Sequence, residues 1–160
     1  MKDEQKTPLL PDSMDTDPLK QFSVWFQAAV QTEISMPNAM TLATSTGEGR
    51  PSARIILLKG VDELGFVFFT NYEGRKAQEL QENPFAALVF NWLSLERQVR
   101  VEGNVEPLCS DESDLYFASR PRGHQIEAHA SPQSQVVKDR IFLETQYEDF
   151  TRKFAGQDVP

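Results

Sequence analysis

The sequence has few of the residues that build disulfides and metal sites. Its 160 residues include one cysteine, Cys109, which excludes an internal disulfide and a thiolate metal cluster. The two histidines, His124 and His129, are spaced so that they do not share one face of a helix. The sequence therefore predicts no metal site.

Long apolar runs and an excess of positive charge are missing as well. No apolar run is long enough to span a bilayer, and the polar start "MKDEQKTPLLPDS" lacks the apolar centre of a secretory signal. With 24 acidic and 16 basic residues the chain has a net charge of -8, and its field repels nucleic acid and anionic membranes. We expect a cytoplasmic protein with neither partner, in which any anion is bound by locally gathered Lys and Arg.

The sequence also lacks the common catalytic motifs. It has no G-x-G-x-x-G after a strand, no Walker loop, no H-E-x-x-H and no G-x-S-x-G. No set of Ser, His and Asp can be nominated from spacing alone. We therefore assign no catalytic side chain.

The residues that are present suit a globular protein. Hydrophobic residues make up 39% of the chain and include 11 phenylalanines, which is enough for the core of one domain. Residues 1–16 hold charges and prolines with little periodicity. We predict a mobile N-terminal arm over 1–16 and a single domain over 17–160.

Helical signals occur at both ends of that domain. Asp17 is a predicted N-cap with Pro18 in the first turn, and this helix ends by Met36-Pro37. A short helix is predicted in "EGRKAQELQENP", ending at Asn83-Pro84. Two more are predicted in "SDESDLYFASRP" and in "VKDRIFLETQYEDFTRKF", the second with Gly156 as terminator.

Between the helices the apolar period changes to that of strands. Five strands are predicted, at 39–46, 52–58, 65–71, 85–92 and 96–107, with "GEG" and "VDELG" as turns between the first three. In the fifth strand the valines share one face and Gln98 lies on the polar face. Short strands that meet through tight turns predict a mostly β fold, an antiparallel meander closing toward a small barrel with helices packed outside.

Basic residues stand at constrained places in this scheme. Arg54 and Lys59 bracket the second strand, and Arg75 and Lys76 open a short helix after a Gly74 turn. A helix N-terminus presents free N–H groups and partial positive charge, so a basic pair there suits a phosphate.

A second group of polar residues lies on later turns. Arg120 and Arg122 flank Pro121 in "SRPRGHQ", and "SPQSQ" supplies Gln133 and Ser134 as neutral donors. Each residue alone is more often an ordinary surface group. Together, in an acidic chain, they predict a site for phosphorylated ligands.

Seven segments, in this order, resemble the pyridoxine/pyridoxamine 5'-phosphate oxidase family. They are "NAMTLAT", "RPSARIILLKG", "GFVFFTNYEGRKAQEL", "NPFAALVFNW", "LERQVRVEG", "YFASRPRGHQI" and "SPQSQV". The resemblance covers the chain from about Asp17 to Pro160. It implies an FMN-binding split barrel that acts as a homodimer with the flavin held at the subunit interface.

The resemblance also implies which residues hold the cofactor. Arg75 and Lys76 would bind the FMN phosphate. The other flavin contacts that it implies are Arg54, Ile55, Ile56, Leu57, Phe69, Thr70, Gln98, Gln133 and Ser134.

The reaction implied by the resemblance is oxidation of pyridoxamine or pyridoxine 5'-phosphate to pyridoxal 5'-phosphate, in vitamin B6 metabolism. FMN would accept a hydride from C4' of the substrate and pass the electrons to oxygen, giving hydrogen peroxide. The implied substrate-binding residues are Lys59, Tyr116, Arg120 and His124, of which Lys59 and Arg120 would bind the substrate phosphate.

The sequence departs from the family pattern in four places. The family normally continues beyond Pro160 into further strands, so we expect a barrel without them. His124 replaces a usual serine, Glu127 replaces a glycine, and the N-terminal arm lacks an Arg-x-x-Tyr-like element. These departures leave two alternatives open: a shortened relative that binds FMN or pyridoxal phosphate without turnover, and another split-barrel flavin reductase.

Overall fold

The computed structural model describes residues 9–32 and 35–160. Contacts divide the chain into two compact units. The first comprises the described residues up to Thr44 with Pro51–Phe68 and Phe85–Gly103, and the second comprises Ser45–Arg50, Phe69–Pro84 and Asn104–Pro160. Residues 1–8 of the arm predicted over 1–16 lie outside the described residues. The arm and the single domain therefore stay predictions.

In the first unit a short 3-10 helix at Pro11–Ser13 is followed by a capped helix, α1 (Pro18–Gln31). The carboxylate of Asp17 accepts hydrogen bonds from the backbone N–H of Leu19 and of Lys20, at 2.9 and 3.4 Å, which confirms the predicted N-cap. The helix buries Phe22 and Ala29 and ends before the predicted stop.

Four strands of the first unit form one sheet in the order β2-β1-β5-β6. Their bounds are β1 (Ala39–Ser45), β2 (Pro51–Leu57), β5 (Phe85–Trp92) and β6 (Arg97–Asn104). β1 and β5 are antiparallel, with Leu42 opposite Leu88. In β6 the half-buried and exposed residues alternate, and Gln98 is exposed, as the period of two predicts.

A second, two-stranded sheet lies within the segment predicted as a turn and a strand. β3 (Gly60–Asp62) pairs antiparallel with β4 (Gly65–Val67). The prediction of a turn over 61–65 was therefore wrong at Val61 and Asp62, because the reversal is tighter: Asp62 Oδ1 accepts from the N–H of Leu64 at 2.8 Å. The predicted strand 65–71 ends at Val67.

Aromatic side chains fill the core of the first unit. Phe90, Met40 and Leu42 are its largest fully buried side chains. Phe90 packs against Phe22 with ring centroids 4.9 Å apart, and Trp92 donates from Nε1 to a backbone oxygen at 2.8 Å. This core supports the sheet that carries the predicted flavin-contacting strand β2.

The second unit contains four helices. They are α2 (Arg75–Glu82), α3 (Ser110–Ser119), α4 (Arg122–Ala130) and α5 (Arg140–Lys153). Ile126, Phe154 and Val159 form its core cluster. α4 was not predicted from the sequence, which placed Arg122 on a turn. Pro121 is the N-cap residue of α4. A proline is tolerated at the start of a helix because a backbone N–H there would have no partner within the helix.

Within the part of the chain that the structure describes, no helix is long and apolar enough to cross a membrane.

Candidate functional site

The charges of α2 are arranged against the helix dipole. Arg75 and Lys76 occupy the first turn, which contains no acidic residue, and Glu82 ends the helix, whose last turn has no basic residue. Cations at a helix N-terminus and anions at its C-terminus destabilise an isolated helix. The same arrangement adds two cationic side chains to the positive end of the dipole, which is a favourable place for an anion.

Lys76 is held inside the second unit. It is 9% exposed, and its Nζ lies 2.5 Å from Oε1 of Gln133. Two residues that the sequence assigned to the cofactor, on separate segments, are therefore in direct contact. The ammonium group of Lys76 donates this hydrogen bond to a neutral amide oxygen, which fixes the position of Nζ.

The position of Gln133 depends on backbone features at both sides of the contact. The turn from Pro132 to Gln135 is closed by a backbone hydrogen bond of 3.2 Å, and Ser134 within it has a φ of +65°. A Cβ atom on Gly74 would lie 2.8 Å from Oε1 of Gln133. Gly74 thus leaves the room in which the amide of Gln133 lies.

Arg75 is oriented by an acidic residue one turn along α2. Its Nε donates to Oε1 of Glu79 at 2.8 Å. The side chain of Arg75 is 61% exposed, whereas that of Glu79 is 4% exposed. Glu79 was not among the predicted site residues, although the i,i+4 spacing of Arg75 and Glu79 signals such a pair.

Thr70 lies just before this helix with an unsatisfied hydroxyl. Its Oγ1 is buried, and within residues 9–32 and 35–160 it has no hydrogen-bond partner. A buried hydroxyl without a partner costs free energy, so such a group in a native protein calls for a ligand or water. The orphaned hydroxyl and the cationic start of α2 fit the phosphate-bearing cofactor that the resemblance implies.

The rings of Phe69 and Tyr116 are stacked. Their centroids are 3.7 Å apart and their planes differ by 5°. Both residues belong to the predicted site, Phe69 with the cofactor and Tyr116 with the substrate, and both are half-buried. The structure therefore brings these two together as well.

Two basic residues that looked alike in the sequence have different surroundings. Arg120 is half-buried with its guanidinium 5.7 Å from the centre of the Phe117 ring. Arg122 donates from Nη1 to the carbonyl of Gln157 at 3.0 Å and from Nη2 to that of Phe154. Arg122 therefore caps the end of α5.

The neighbouring helix α4 carries the remaining predicted substrate residue. His124 is exposed in its first turn, and Glu127 is exposed as well. Gln125 is buried and donates from Nε2 to the carbonyls of Phe117 and Ala118, at 2.9 and 3.1 Å. Gln125 thus satisfies the end of α3, a role that the sequence gave no reason to expect.

In the first unit, Arg54 is fixed by neutral oxygens on the sheet. Its Nη1 donates to the carbonyl of Leu42 at 3.2 Å and to Oγ1 of Thr44 at 2.5 Å, and its Nη2 donates to Oγ of Ser52. These neutral acceptors fix the orientation of the guanidinium on the sheet.

The other predicted residues of the first unit lie along the same strand or nearby. Ile55 is 64% exposed, and Ile56 and Leu57 are half-buried. Lys59 is exposed just after β2, and its backbone N–H donates to the carbonyl of Val67 at 2.8 Å.

Among the described residues, no cluster of three or more His, Cys, Asp and Glu side chains could hold a metal ion. Cys109 is a free, exposed thiol.

Comparison with known proteins relates the chain to one family. The family model described as pyridoxamine 5'-phosphate oxidase matches residues 26–153. The chain is 55% identical over 144 residues to the pyridoxine/pyridoxamine 5'-phosphate oxidase of Paraburkholderia phytofirmans, covering 90% of this chain and 68% of that protein. It is 53% identical over 152 residues to the protein of that name from Rubrobacter xylanophilus, covering 95% and 70%.

Solved structures agree on the fold. PhzG from Burkholderia lata, in complex with tetrahydrophenazine-1-carboxylic acid, superposes with a TM-score of 0.88 at 28% identity, over 96% of this chain and 77% of that one. A pyridoxamine 5'-phosphate oxidase-related, FMN-binding protein from Nostoc punctiforme has a TM-score of 0.63 at 17% identity, over 82% and 73%. The predicted fold class, an antiparallel split β-barrel with flanking helices, is confirmed.

The family model spans most of the chain, and the similarity to the curated relatives extends through the segments that carry the cationic start of α2 and the Gln133 turn. The chain therefore belongs to the pyridoxine/pyridoxamine 5'-phosphate oxidase family.

Proposed function

We propose that this protein is an FMN-dependent oxidase that converts pyridoxamine or pyridoxine 5'-phosphate to pyridoxal 5'-phosphate, with oxygen as electron acceptor. The observation that carries the proposal is the 55% identity to a relative of that name over 90% of the chain. Membership of the family supports an oxidoreductase. The identity of the substrate is proposed from the names of the relatives.

In the second unit, Arg75 and Lys76 would bind the FMN phosphate. The hydrogen bond from the buried Lys76 to Gln133 supports this role, because it fixes the ammonium group beside the start of α2. Thr70 would donate its unsatisfied hydroxyl proton to the cofactor. Phe69, Gln133 and Ser134 are proposed as further cofactor contacts.

In the first unit, Arg54, Ile55, Ile56, Leu57 and Gln98 are proposed as flavin contacts. The four neutral oxygens that accept from Arg54 support its role, since they would keep a positive charge in one place. A fixed cation stabilises negative charge without having to reorganise during the reaction.

The proposed substrate-binding residues are Lys59, Tyr116, Arg120 and His124. Arginine presents a planar fork to a phosphate, whereas lysine acts as a mobile point charge. A fixed phosphate keeps the reacting C4' in place, which lowers the entropic cost of the reaction. When bound, FMN would supply the redox chemistry by accepting a hydride and reducing oxygen to hydrogen peroxide.

The similarity to PhzG favours a second candidate, a flavin enzyme of the same fold with another substrate. PhzG was crystallised with tetrahydrophenazine-1-carboxylic acid, and its fold superposes over 96% of this chain. The identity of 28% to PhzG is about half of that to the curated oxidases, so we rank this candidate second.

An activity assay on the whole chain with added FMN tests the proposal. We expect pyridoxamine 5'-phosphate to yield pyridoxal 5'-phosphate and hydrogen peroxide, and pyridoxamine without its phosphate to react far more slowly. Turnover of tetrahydrophenazine-1-carboxylic acid alone would select the second candidate. FMN binding without any turnover would select the alternative of a cofactor-binding relative.

The homodimer and the cytoplasmic location also remain proposals that rest on the family.

A further inference from the structure

Glu79 is a buried carboxylate to which neither the sequence motifs nor the proposed function gives a role. It is 3% exposed in α2, in the unit that holds the basic pair. Burying a carboxylate is costly unless it is paired and hydrogen-bonded. One of its partners is Arg75, whose Nε lies 2.8 Å from Oε1.

The order of this pair gives little to the helix itself. In an i,i+4 pair the favourable order places the glutamate nearer the N-terminus, whereas here Arg75 comes first and Glu79 follows. Exposed helical pairs are worth little in either order. Since Glu79 is buried, the pair is better explained by the orientation that it imposes on Arg75.

The atoms in contact show what that orientation is. The ion pair uses Nε of Arg75 and therefore leaves its two Nη nitrogens out of the contact. Those two nitrogens form one edge of the planar fork that binds phosphate with parallel hydrogen bonds. Because the Arg75 side chain is 61% exposed, packing restrains its guanidinium weakly, and the ion pair with Glu79 contributes the more to its orientation.

We propose that Glu79 is a positioning residue that holds the guanidinium of Arg75 so that its Nη edge faces the FMN phosphate. This inference rests on the proposed function, because it takes Arg75 to bind that phosphate. Glu79 would then contribute to recognition of the FMN phosphate, although both groups are negatively charged.

The test compares binding of FMN with binding of riboflavin, which lacks the phosphate. Flavin fluorescence quenching on the full chain gives both dissociation constants, and their ratio measures phosphate recognition. Glu79→Asp keeps the charge but is one methylene too short to reach Nε, and Glu79→Gln keeps the reach but removes the charge. Both changes are small enough for a buried position.

We expect Glu79→Asp to lower the preference for FMN over riboflavin about tenfold, the size of one charge-assisted hydrogen bond. Glu79→Gln should keep the preference within about threefold, because its amide oxygen still accepts from Nε. If instead Glu79→Gln alone lost the preference for FMN over riboflavin, the inference would be overturned. That result would show that the negative charge of Glu79, and not its hydrogen bond to Nε, determines the preference.

A purely structural role for Glu79 would weaken FMN and riboflavin equally in both variants, and that result would also overturn the inference. The wild-type protein supplies the separate test of the proposed function. If wild type shows no preference for FMN over riboflavin, the phosphate site at Arg75 and Lys76 is itself contradicted. If wild type prefers FMN and both variants keep that preference, only the role of Glu79 fails.

Discussion

At the scale of single residues, Gly74 shows how a missing side chain positions another residue. We expect Gly74→Ala to displace the Gln133 amide, because the new Cβ would lie 2.8 Å from its Oε1. The loss of the Lys76–Gln133 hydrogen bond should weaken FMN binding about tenfold, measured by fluorescence titration. The free energy of unfolding should fall by about 1–3 kcal/mol as well, because the buried ammonium group of Lys76 loses a hydrogen-bond partner and the new Cβ lies 3.3 Å from the carbonyl oxygen of Asn71.

Gly103→Ala is the matched control for that variant. A Cβ at Gly103 meets no heavy atom within 4 Å, so its FMN affinity should equal that of wild type. If Gly74→Ala also binds FMN normally, the contact between Lys76 and Gln133 has no part in cofactor binding.

Substitutions of Arg122 and Arg120 are expected to have different effects, the first on stability and the second on substrate binding. Arg122→Ala removes two hydrogen bonds to the end of α5 and should lower the free energy of unfolding by about 1–2 kcal/mol, measured by urea denaturation. Arg120→Ala should instead raise the Michaelis constant for the phosphorylated substrate and retain flavin.

The control for Arg122 is Arg152→Ala, which breaks a surface pair with Asp149 whose side chains are 75% and 51% exposed. Such pairs contribute less than about 1 kcal/mol. An Arg122→Ala variant as stable as wild type would contradict the capping role.

At the scale of elements, strand β5 carries both a core and a surface phenylalanine. Phe90 is fully buried, whereas Phe85 is 65% exposed on the same strand. We expect Phe90→Ala to lower the free energy of unfolding by about 3–5 kcal/mol, because it leaves a cavity among packed rings. Phe85→Ala should cost less than about 1 kcal/mol. Equal midpoints in urea for the two variants would contradict the described core.

The predicted elements succeed where a strong local pattern agrees with the packing. The capped start of α1, the alternation in β6 and the helix start at Arg75 were all readable from spacing and caps. The strand predicted to Asn71 ends at Val67, because "FVFFT" has strand propensity throughout and propensity does not show where pairing stops. Helix α4 was missed because Pro121 and Gly123 both oppose a helix in a local pattern.

At the scale of the whole molecule, the family and the residue types of the site can be predicted from the sequence, whereas the contacts between those residues cannot. The contact between Lys76 and Gln133 joins segments 57 positions apart, and no local period shows such a contact. The neutral oxygens around Arg54 and the capping role of Gln125 likewise depend on the tertiary structure. The resemblance named most of these residues, and the structure supplies the physical reason for each position.

In a chain with a net charge of -8, binding of the FMN phosphate is expected to depend on a local cationic site at Arg75 and Lys76. The direct test is the FMN dissociation constant of wild type, of Arg75→Ala with Lys76→Ala, and of a control with Lys138→Ala and Arg140→Ala. The control removes the same two charges from exposed positions elsewhere. We predict that FMN binding weakens at least about a hundredfold in the first variant and stays near wild type in the control. Equal affinity in all three proteins, or an equal loss in both variants, would contradict the account.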